Sequence, residues 1–250
     1  MAATLAVAML LTGTTQPARA DDGAADSVVD LALLAWNVYK AGTITPDQAV
    51  QFVRLLTGAV SEMENEVVNH IDDLQARDVM RDLRDVRMDL ADYQAARDDE
   101  DWVELYIRLS LTGFAANAYE KYYAVGNDKA KDQIALAGQG LYSTLLALTT
   151  DAGLTSAKAI AQRDFRKLLG DIVRDLEPKC RSISPPDNPP GTINVLHECT
   201  AANGETASKL DLYSGGTWHS GPVDLNDLKA RAAKNSAWLA AKHTLDELGQ

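Results

Sequence analysis

The sequence is poor in cysteine and histidine, two residue types that are common in catalytic and metal sites. Its 250 residues include only two cysteines and four histidines. Basic residues are also scarce, with 24 Lys and Arg against 36 Asp and Glu, which gives a net charge of −12. Phosphate binding needs clustered Lys and Arg, so nucleic acid is excluded as a default partner. A disulfide-dense scaffold is excluded by the cysteine count, and the length allows one large hydrophobic core.

No strong catalytic motif is present. The chain has neither a G-x-S-x-G elbow nor a glycine-rich phosphate loop nor an H-E-x-x-H pair. A hydrolase built on His219 and Ser220 would still need a nearby carboxylate. Glu66 and His70, four residues apart, can face one way from a helix, but helical di-metal sites require a second such pair. We therefore predict no cofactor and no metal site, and we favour a protein that is not an enzyme.

The first 20 residues predict an export signal. Residues 2–15 form a short, uncharged and mostly apolar run, and Ala18-Arg19-Ala20 supplies the small residues that a signal peptidase needs. A basic residue directly after Met1 is missing from the pattern. The run is too short to span a bilayer. We interpret residues 1–20 as a cleaved secretory signal peptide, which predicts a secreted or extracytoplasmic protein.

Export explains the use of cysteine. Cys180 and Cys199 are the only two cysteines, and an isolated pair in an oxidising compartment is most simply one disulfide. A catalytic thiol is the alternative, but no family signature surrounds either residue. The sequence therefore predicts a structural Cys180–Cys199 bridge.

Residues 21–178 predict an all-α, elongated antiparallel bundle of about five helices. The first helix ends at Ala41-Gly42, and Thr45-Pro46-Asp47-Gln48 begins the next with a capping box. From Pro46 to about Arg97 no proline occurs, and apolar residues recur at steps of three and four, as in a coiled coil. Thr57-Gly58 could break this pattern, and an unbroken helix of that length would run roughly 75 Å. Three further helices are predicted before Pro178.

The outer face of the long helical segment is strongly acidic. Between Val60 and Asp101 the sequence has 14 acidic residues, 5 arginines and no lysine. A solvated helix face is the simplest interpretation. The alternative is an acidic strip that binds cations or docks a partner.

Residues 133–150 form a second unusual segment, because 18 consecutive residues carry no charge. The favoured interpretation is the central helix of the bundle. The alternative is a segment that a pore-forming protein inserts into a membrane, for which its length is at the lower limit. Under either interpretation the defining apolar side chains are those of Ile134, Leu136, Leu141, Tyr142, Leu145, Leu146 and Leu148.

Residues 179–250 predict a different kind of structure. This part begins with a proline-rich linker and the disulfide loop. Short β-like segments follow at Thr192–Thr200 and Lys209–Tyr213, and a terminal helix runs from Asp224 to Leu248. Taken together, the sequence predicts an exported, non-enzymatic helical protein that binds a protein or cell-envelope partner. A membrane-active, pore-forming-like protein is the alternative, with membrane contact possible but not favoured.

Overall fold

The computed structural model describes residues 24–67, 74–96, 99–184, 190–219 and 223–249, and these are mostly helical with one small antiparallel sheet. The predicted signal peptide, His70, most of the proline-rich linker and Ser220 lie outside the described residues. The helices are α1 (Ala24–Ala41), α2 (Pro46–Val67), α3 (Leu74–Ala95), α4 (Glu100–Tyr106), α5 (Thr112–Ala124), α6 (Asp128–Asp151), α7 (Thr155–Asp175), α8 (Leu225–Ala232) and α9 (Ala237–Glu247). The strands are β1 (Lys179–Ile183), β2 (Thr192–Thr200), β3 (Thr206–Ser214) and β4 (Thr217–Trp218).

Helix α6 lies at the centre of the helical part. It packs against α1, α3, α5, α7 and α9, and every residue from Asp132 to Thr150 is buried. Its Ser and Thr hydroxyls bond to carbonyls within the helix, whereas the Gln139 side-chain amide donates to the Ala237 carbonyl of α9 at 3.3 Å. The hydroxyls of Ser143 and Thr144 donate to the carbonyls of Gln139 and Gly140 at 2.7 and 2.9 Å. A buried hydroxyl without a hydrogen bond would cost free energy. Because these hydroxyls are bonded to carbonyls of their own helix, the uncharged segment can lie inside a packed core.

The boundary between α1 and α2 follows the local sequence signals. Gly42 has a φ of 85°, which is the left-handed conformation that commonly ends a helix. The Thr45 backbone N–H then donates to the Gln48 side chain at 2.9 Å, and the Gln48 N–H donates to the Thr45 hydroxyl at 3.3 Å. This reciprocal pair is the predicted capping box, and it starts α2 at Pro46.

The interpretation of Pro46 to about Arg97 as one long helix is wrong, and the break does not fall at Thr57-Gly58, which lies within α2. The structure contains two helices, α2 and α3, that pack against each other, and Phe52 near the start of α2 lines the same cavity as Leu90 near the end of α3. The chain therefore reverses direction between them. The sequence from 68 to 73 contains neither glycine nor proline, the two strongest turn signals. The apolar periodicity is the same for two helices that share a core as for one continuous helix.

Two other predicted helices are also interrupted. The helix that begins near Trp102 contains a π-helical turn at Ile107–Leu111 between α4 and α5, and the Thr112 hydroxyl donates to the Ile107 carbonyl at 2.7 Å. The predicted terminal helix from Asp224 to Leu248 divides into α8 and α9. Ser236 caps α9 by accepting the Leu239 N–H, which explains the break because serine favours the N-cap over a helix interior.

The sheet is an antiparallel meander in the order β1-β2-β3-β4. Two of its strands match the β-like segments in the sequence, whereas β1 and the two-residue β4 were not predicted. Cys180 in β1 lies directly opposite Cys199 in β2, and the two are joined in a disulfide. The bridge packs with Leu228 and Ala232 of α8 into a small core that is separate from the main one.

Helix α9 belongs to the main core, although the sequence grouped it with the tail. Ala237, Trp238 and Ala241 are buried there, and α9 packs against α1 and α7. The Trp238 indole N–H donates to the Val173 carbonyl at 3.1 Å, and the Ala237 N–H donates to the buried Asp132 carboxylate at 2.9 Å. The C-terminal helix thus covers one side of α6.

Two helical glycines differ in what surrounds them, and this difference predicts opposite responses to alanine. A Cβ at Gly140 in α6 would lie 3.2 Å from a methyl group of Leu83, whereas a Cβ at Gly170 in α7 would meet nothing within 4 Å. We expect Gly170→Ala to raise the free energy of unfolding by about 1 kcal/mol through helix propensity. Gly140→Ala will lack that gain because Leu83 must shift. Urea unfolding of both variants measures the difference, and an equal gain in both would contradict the close α3–α6 approach.

Candidate functional site

A pocket lies at the end of the helical part where α6 ends and α2 begins. We call it the end pocket, and it has two adjoining chambers. The first, the apolar chamber, has a volume of about 310 Å³. Its apolar lining comes from Ile44, Ala49, Val50, Phe52, Leu90 and Leu148. Phe52 and Leu90 form its buried wall, whereas Val50 is 65% exposed and stands at the rim. The chamber is in the size range of small-ligand sites.

The second chamber, which we call the acidic chamber, has a volume of about 350 Å³. Glu100, Val103 and Glu104 of α4 line one side of it, and Leu154 contributes from the turn after α6. Arg108 lies one helical turn beyond Glu104, and their side chains form an ion pair at 2.6 Å. This pair is exposed, so it is worth little to stability but partly neutralises Glu104.

Tyr93 and Asp151 line both chambers and form the boundary between them. The Tyr93 hydroxyl donates to Asp151 Oδ2 at 3.0 Å. Asp151 Oδ1 accepts the Ile44 backbone N–H at 2.9 Å and the Thr43 hydroxyl at 3.1 Å. The carboxylate therefore ties the end of α6 to the turn before α2 and to α3, which holds the two chambers in fixed positions.

Local signals in the sequence explain why Asp151 lies at this point. Gly153 adopts a left-handed φ of 66° and its N–H donates to the Thr150 carbonyl at 3.1 Å, while the Leu154 N–H donates to Thr149 at 2.9 Å. These bonds are typical of a glycine-terminated helix. Asp151 is thus the last residue of α6, next to the negative end of the helix dipole.

The two helices that begin at the pocket bind their own first N–H groups. Thr45 accepts the Gln48 N–H and its carbonyl accepts the Ala49 N–H at the start of α2. Asp99 plays the same role in α4, where its side chain accepts the Trp102 N–H and its carbonyl accepts the Val103 N–H. A helix N-terminus attracts an anion through its unpaired backbone N–H groups, and these caps bind some of those N–H groups.

The residues singled out from the sequence lie elsewhere, with one exception. Leu148 lines the apolar chamber, whereas Ile134, Leu136, Leu141 and Leu146 are buried along α6. Among the residues that the structure describes, no helix combines the length and apolarity needed to cross a bilayer.

The weak metal candidates and Ser220 gain no structural context. The Glu66 side chain, His70 and Ser220 all lie outside the described residues. Within the described ranges, no group of His, Cys, Asp and Glu is arranged to hold a metal ion. His219, the proposed partner of Ser220, instead forms a 2.7 Å hydrogen bond with the Ser214 hydroxyl.

The sheet contains a polar row that the sequence did not indicate. Ser182 of β1 lies opposite His197 of β2, and their side chains are 2.8 Å apart between Oγ and Nδ1. His197 Nε2 lies 3.3 Å from Asp211 Oδ2 on β3. The order resembles a Ser-His-Asp triad, but Ser182 is an exposed residue within a strand, without the strand-to-helix turn of a nucleophile elbow. The row links three strands.

Part of the acidic face of α3 has structural partners. The Lys121 ammonium of α5 binds Asp78 at 2.8 Å, and this hydrogen bond lowers the pKa of the Asp78 carboxyl. The Asn117 amide donates to the buried Asp82 at 2.6 Å, while burial raises the pKa of that carboxyl. The strip predicted as a solvated or docking face thus joins α3 to α5 at two of its carboxylates.

A second polar cluster joins α5 to α7. The Lys167 ammonium donates to Asp171 at 2.8 Å and to the Tyr123 hydroxyl at 3.1 Å, and Tyr123 also donates to Asp171. Burial acts to raise the pKa of Asp171, but these bonds and one from Arg174 lower it overall. Every member has a partner within the cluster, so we assign it a structural role.

Comparison with protein-family models, curated proteins and solved structures finds no match for this chain. Function must therefore be argued from the geometry. The end pocket is built from four separate stretches of sequence, and no motif in any of them indicated a site. Asp151-Ala152-Gly153 was recognisable as a turn, but the convergence of Tyr93 and Glu100 on that turn is a tertiary feature.

Proposed function

We propose that the protein is an extracytoplasmic binding protein without catalytic activity, which holds an apolar group of a protein or cell-envelope partner in the end pocket. The observation that carries the proposal is the apolar chamber of about 310 Å³ beside the Tyr93–Asp151 hydrogen bond. Concave, mostly apolar sites with a few fixed polar groups are typical of ligand pockets. The Cys180–Cys199 disulfide is compatible with an oxidising compartment outside the cytoplasm.

The pocket is lined by residues that also take part in the packing of the fold. Its walls are the buried faces of α2, α3 and α6, and Asp151 accepts a backbone N–H that fixes the turn at Ile44. A preformed site loses less conformational entropy on binding than one that must be ordered. This supports a binding role over a purely structural one for the cavity.

A fluorescent probe tests the proposal. We expect uncharged N-phenyl-1-naphthylamine to bind at one site per chain with a saturable rise in fluorescence. Ala49→Trp should weaken that binding by at least about tenfold, because the indole fills the apolar chamber. Val50→Glu, a change at the exposed rim that leaves the core intact, should weaken it as well.

The matched control is Ala116→Trp, which places the same side chain on an exposed position of α5 outside the pocket lining. We expect its probe affinity to equal that of the unmodified protein. Circular dichroism of each variant checks that the fold is retained. Absence of saturable binding, or equal affinity in both folded pocket variants and the control, would overturn the proposal.

A further inference from the structure

We propose that the end pocket selects amphipathic organic cations, with an ammonium group in the acidic chamber and the attached apolar chain in the apolar chamber. The inference rests on the proposed function and names its ligand class. It follows from the two chambers being different in chemistry and adjoining each other at Tyr93 and Asp151. A ligand with one charged and one apolar end matches both.

The lining residues determine which sign of charge on a ligand the pocket favours. The described side chains that line the two chambers include the carboxylates of Glu100, Glu104 and Asp151, and none of them is basic. Arg108 partly neutralises Glu104 through their ion pair. Glu100 and Asp151 add negative charge from α4 and α6. An anionic ligand would meet like charge here, whereas a cation gains attraction.

The helix dipoles at the pocket also favour a cation over an anion. Asp151 ends the 24-residue α6, so the negative end of a long helix is directed toward the boundary between the chambers. The opposing positive ends belong to α2 and α4. Their leading N–H groups bind Thr45 and Asp99, which reduces their capacity to hold an anion.

The apolar end of the ligand is selected by a different surface. Phe52, Leu90 and Leu148 present hydrocarbon to the apolar chamber, and Ala49 leaves the space that a larger residue would fill. Burial of an alkyl chain against them is favourable in proportion to the apolar area removed from water. An inorganic cation would leave this chamber unused, so the geometry favours an ammonium that carries a hydrocarbon chain.

Three ligands of equal chain length separate the effect of charge from the effect of the apolar chain: octylammonium, octanol and octanoate. Each is titrated into the purified protein by calorimetry, below its micelle concentration where it forms micelles. We expect octylammonium to bind at least about tenfold more tightly than octanol, and octanoate to bind more weakly than octanol. The advantage of the ammonium over the alcohol should shrink as the salt concentration rises, because screening weakens charge attraction.

Charge variants test whether the preference arises at this pocket. Glu100→Gln should reduce the advantage of octylammonium over octanol about threefold, because it removes one negative charge from the acidic chamber. Asp151→Asn should reduce it as well, since its amide oxygen can still accept the Ile44 N–H. Glu120→Gln, at an exposed position of α5 away from the lining, is the matched control and should have no effect.

The outcomes distinguish this inference from the proposed function. If none of the three ligands binds, the proposed function itself fails. If octanol and octylammonium bind equally, or octanoate binds most tightly, the pocket binds apolar groups but the cation preference is overturned. An ammonium preference that persists unchanged in both Glu100→Gln and Asp151→Asn also overturns it, because the charge would then act from elsewhere.

Discussion

Leu145→Asp is expected to abolish cooperative folding or to lower the free energy of unfolding by at least about 4 kcal/mol. Leu145 is 5% exposed and lies in α6, which packs against α1, α3, α5, α7 and α9. An aspartate at this position would bury a carboxylate among apolar side chains without a partner. The loss is a large fraction of the total stability of a typical domain. Thermal unfolding followed by circular dichroism measures it.

Leu105→Asp is the matched control for this substitution. Leu105 is 57% exposed on α4, so the same change of residue buries no charge and should alter stability by less than about 1 kcal/mol. A Leu145→Asp protein that unfolds like the unmodified chain would contradict the packing of α6. If that folded variant had also lost an ability to release dye from lipid vesicles, the membrane-active alternative would gain support.

Removal of the disulfide is the second change with a large expected effect. In Cys180→Ser/Cys199→Ser, the loop that the bridge closes, with a sequence separation of 19, regains its freedom in the unfolded state. The chain-entropy model puts the cost at about 3 kcal/mol. The bridge also packs with Leu228 and Ala232 in the small core between the sheet and α8, so its removal takes apolar contact from that core.

We expect this loss to be local. The small core around the disulfide is separate from the main core, so β1, β2 and β3 can open while α6 remains folded. Hydrogen exchange should therefore show faster exchange of the sheet and α8 amides, with α6 amides unchanged. Ala207→Ser is the control, because it adds a hydroxyl to the same small core without breaking the link. Equal loss of protection in α6 would show that the sheet and bundle unfold as one unit.

The ligand proposals depend on one carboxylate having two structural roles. Asp151 terminates α6 and accepts the Ile44 N–H, and the same side chain forms the boundary between the chambers with Tyr93. The residues that shape the pocket are therefore also residues that hold α2, α3 and α6 together. This is why the tests use Glu100, Val50 and Ala49 alongside Asp151: the exposed Glu100 and the lining residues of α2 can change with less effect on the fold.

Short-range signals could be interpreted directly from the sequence. Thr45, Pro46 and Gln48 specify a helix start through bonds that span only three residues, and Gly42 and Gly153 end helices because glycine tolerates a left-handed φ. The disulfide was also predictable, because only two cysteines are available to pair. The helix ends depend on residues that are neighbours in the chain, and the disulfide depends on the number of cysteines.

The arrangement of the helices was not predictable in the same way. The apolar stripe of α2 and α3 has the same spacing whether the chain continues or reverses, so the sequence alone favoured one long helix. The reversal is shown by the packing of α2 against α3, with Phe52 and Leu90 lining the same cavity. The docking of α9 against α1 and α7 is likewise a tertiary feature, because the sequence grouped this helix with the tail.

The candidate site is the clearest case of a property that tertiary structure decides. Sequence alone determined that the protein has a large helical core, a strong acidic charge, a disulfide and no recognisable catalytic motif. It did not bring Ile44, Tyr93, Glu100 and Asp151 together, because they are separated by up to 107 residues and converge only when α2, α3, α4 and α6 pack. Local propensities act within a few residues, whereas a pocket is defined by contacts between segments that are distant along the chain.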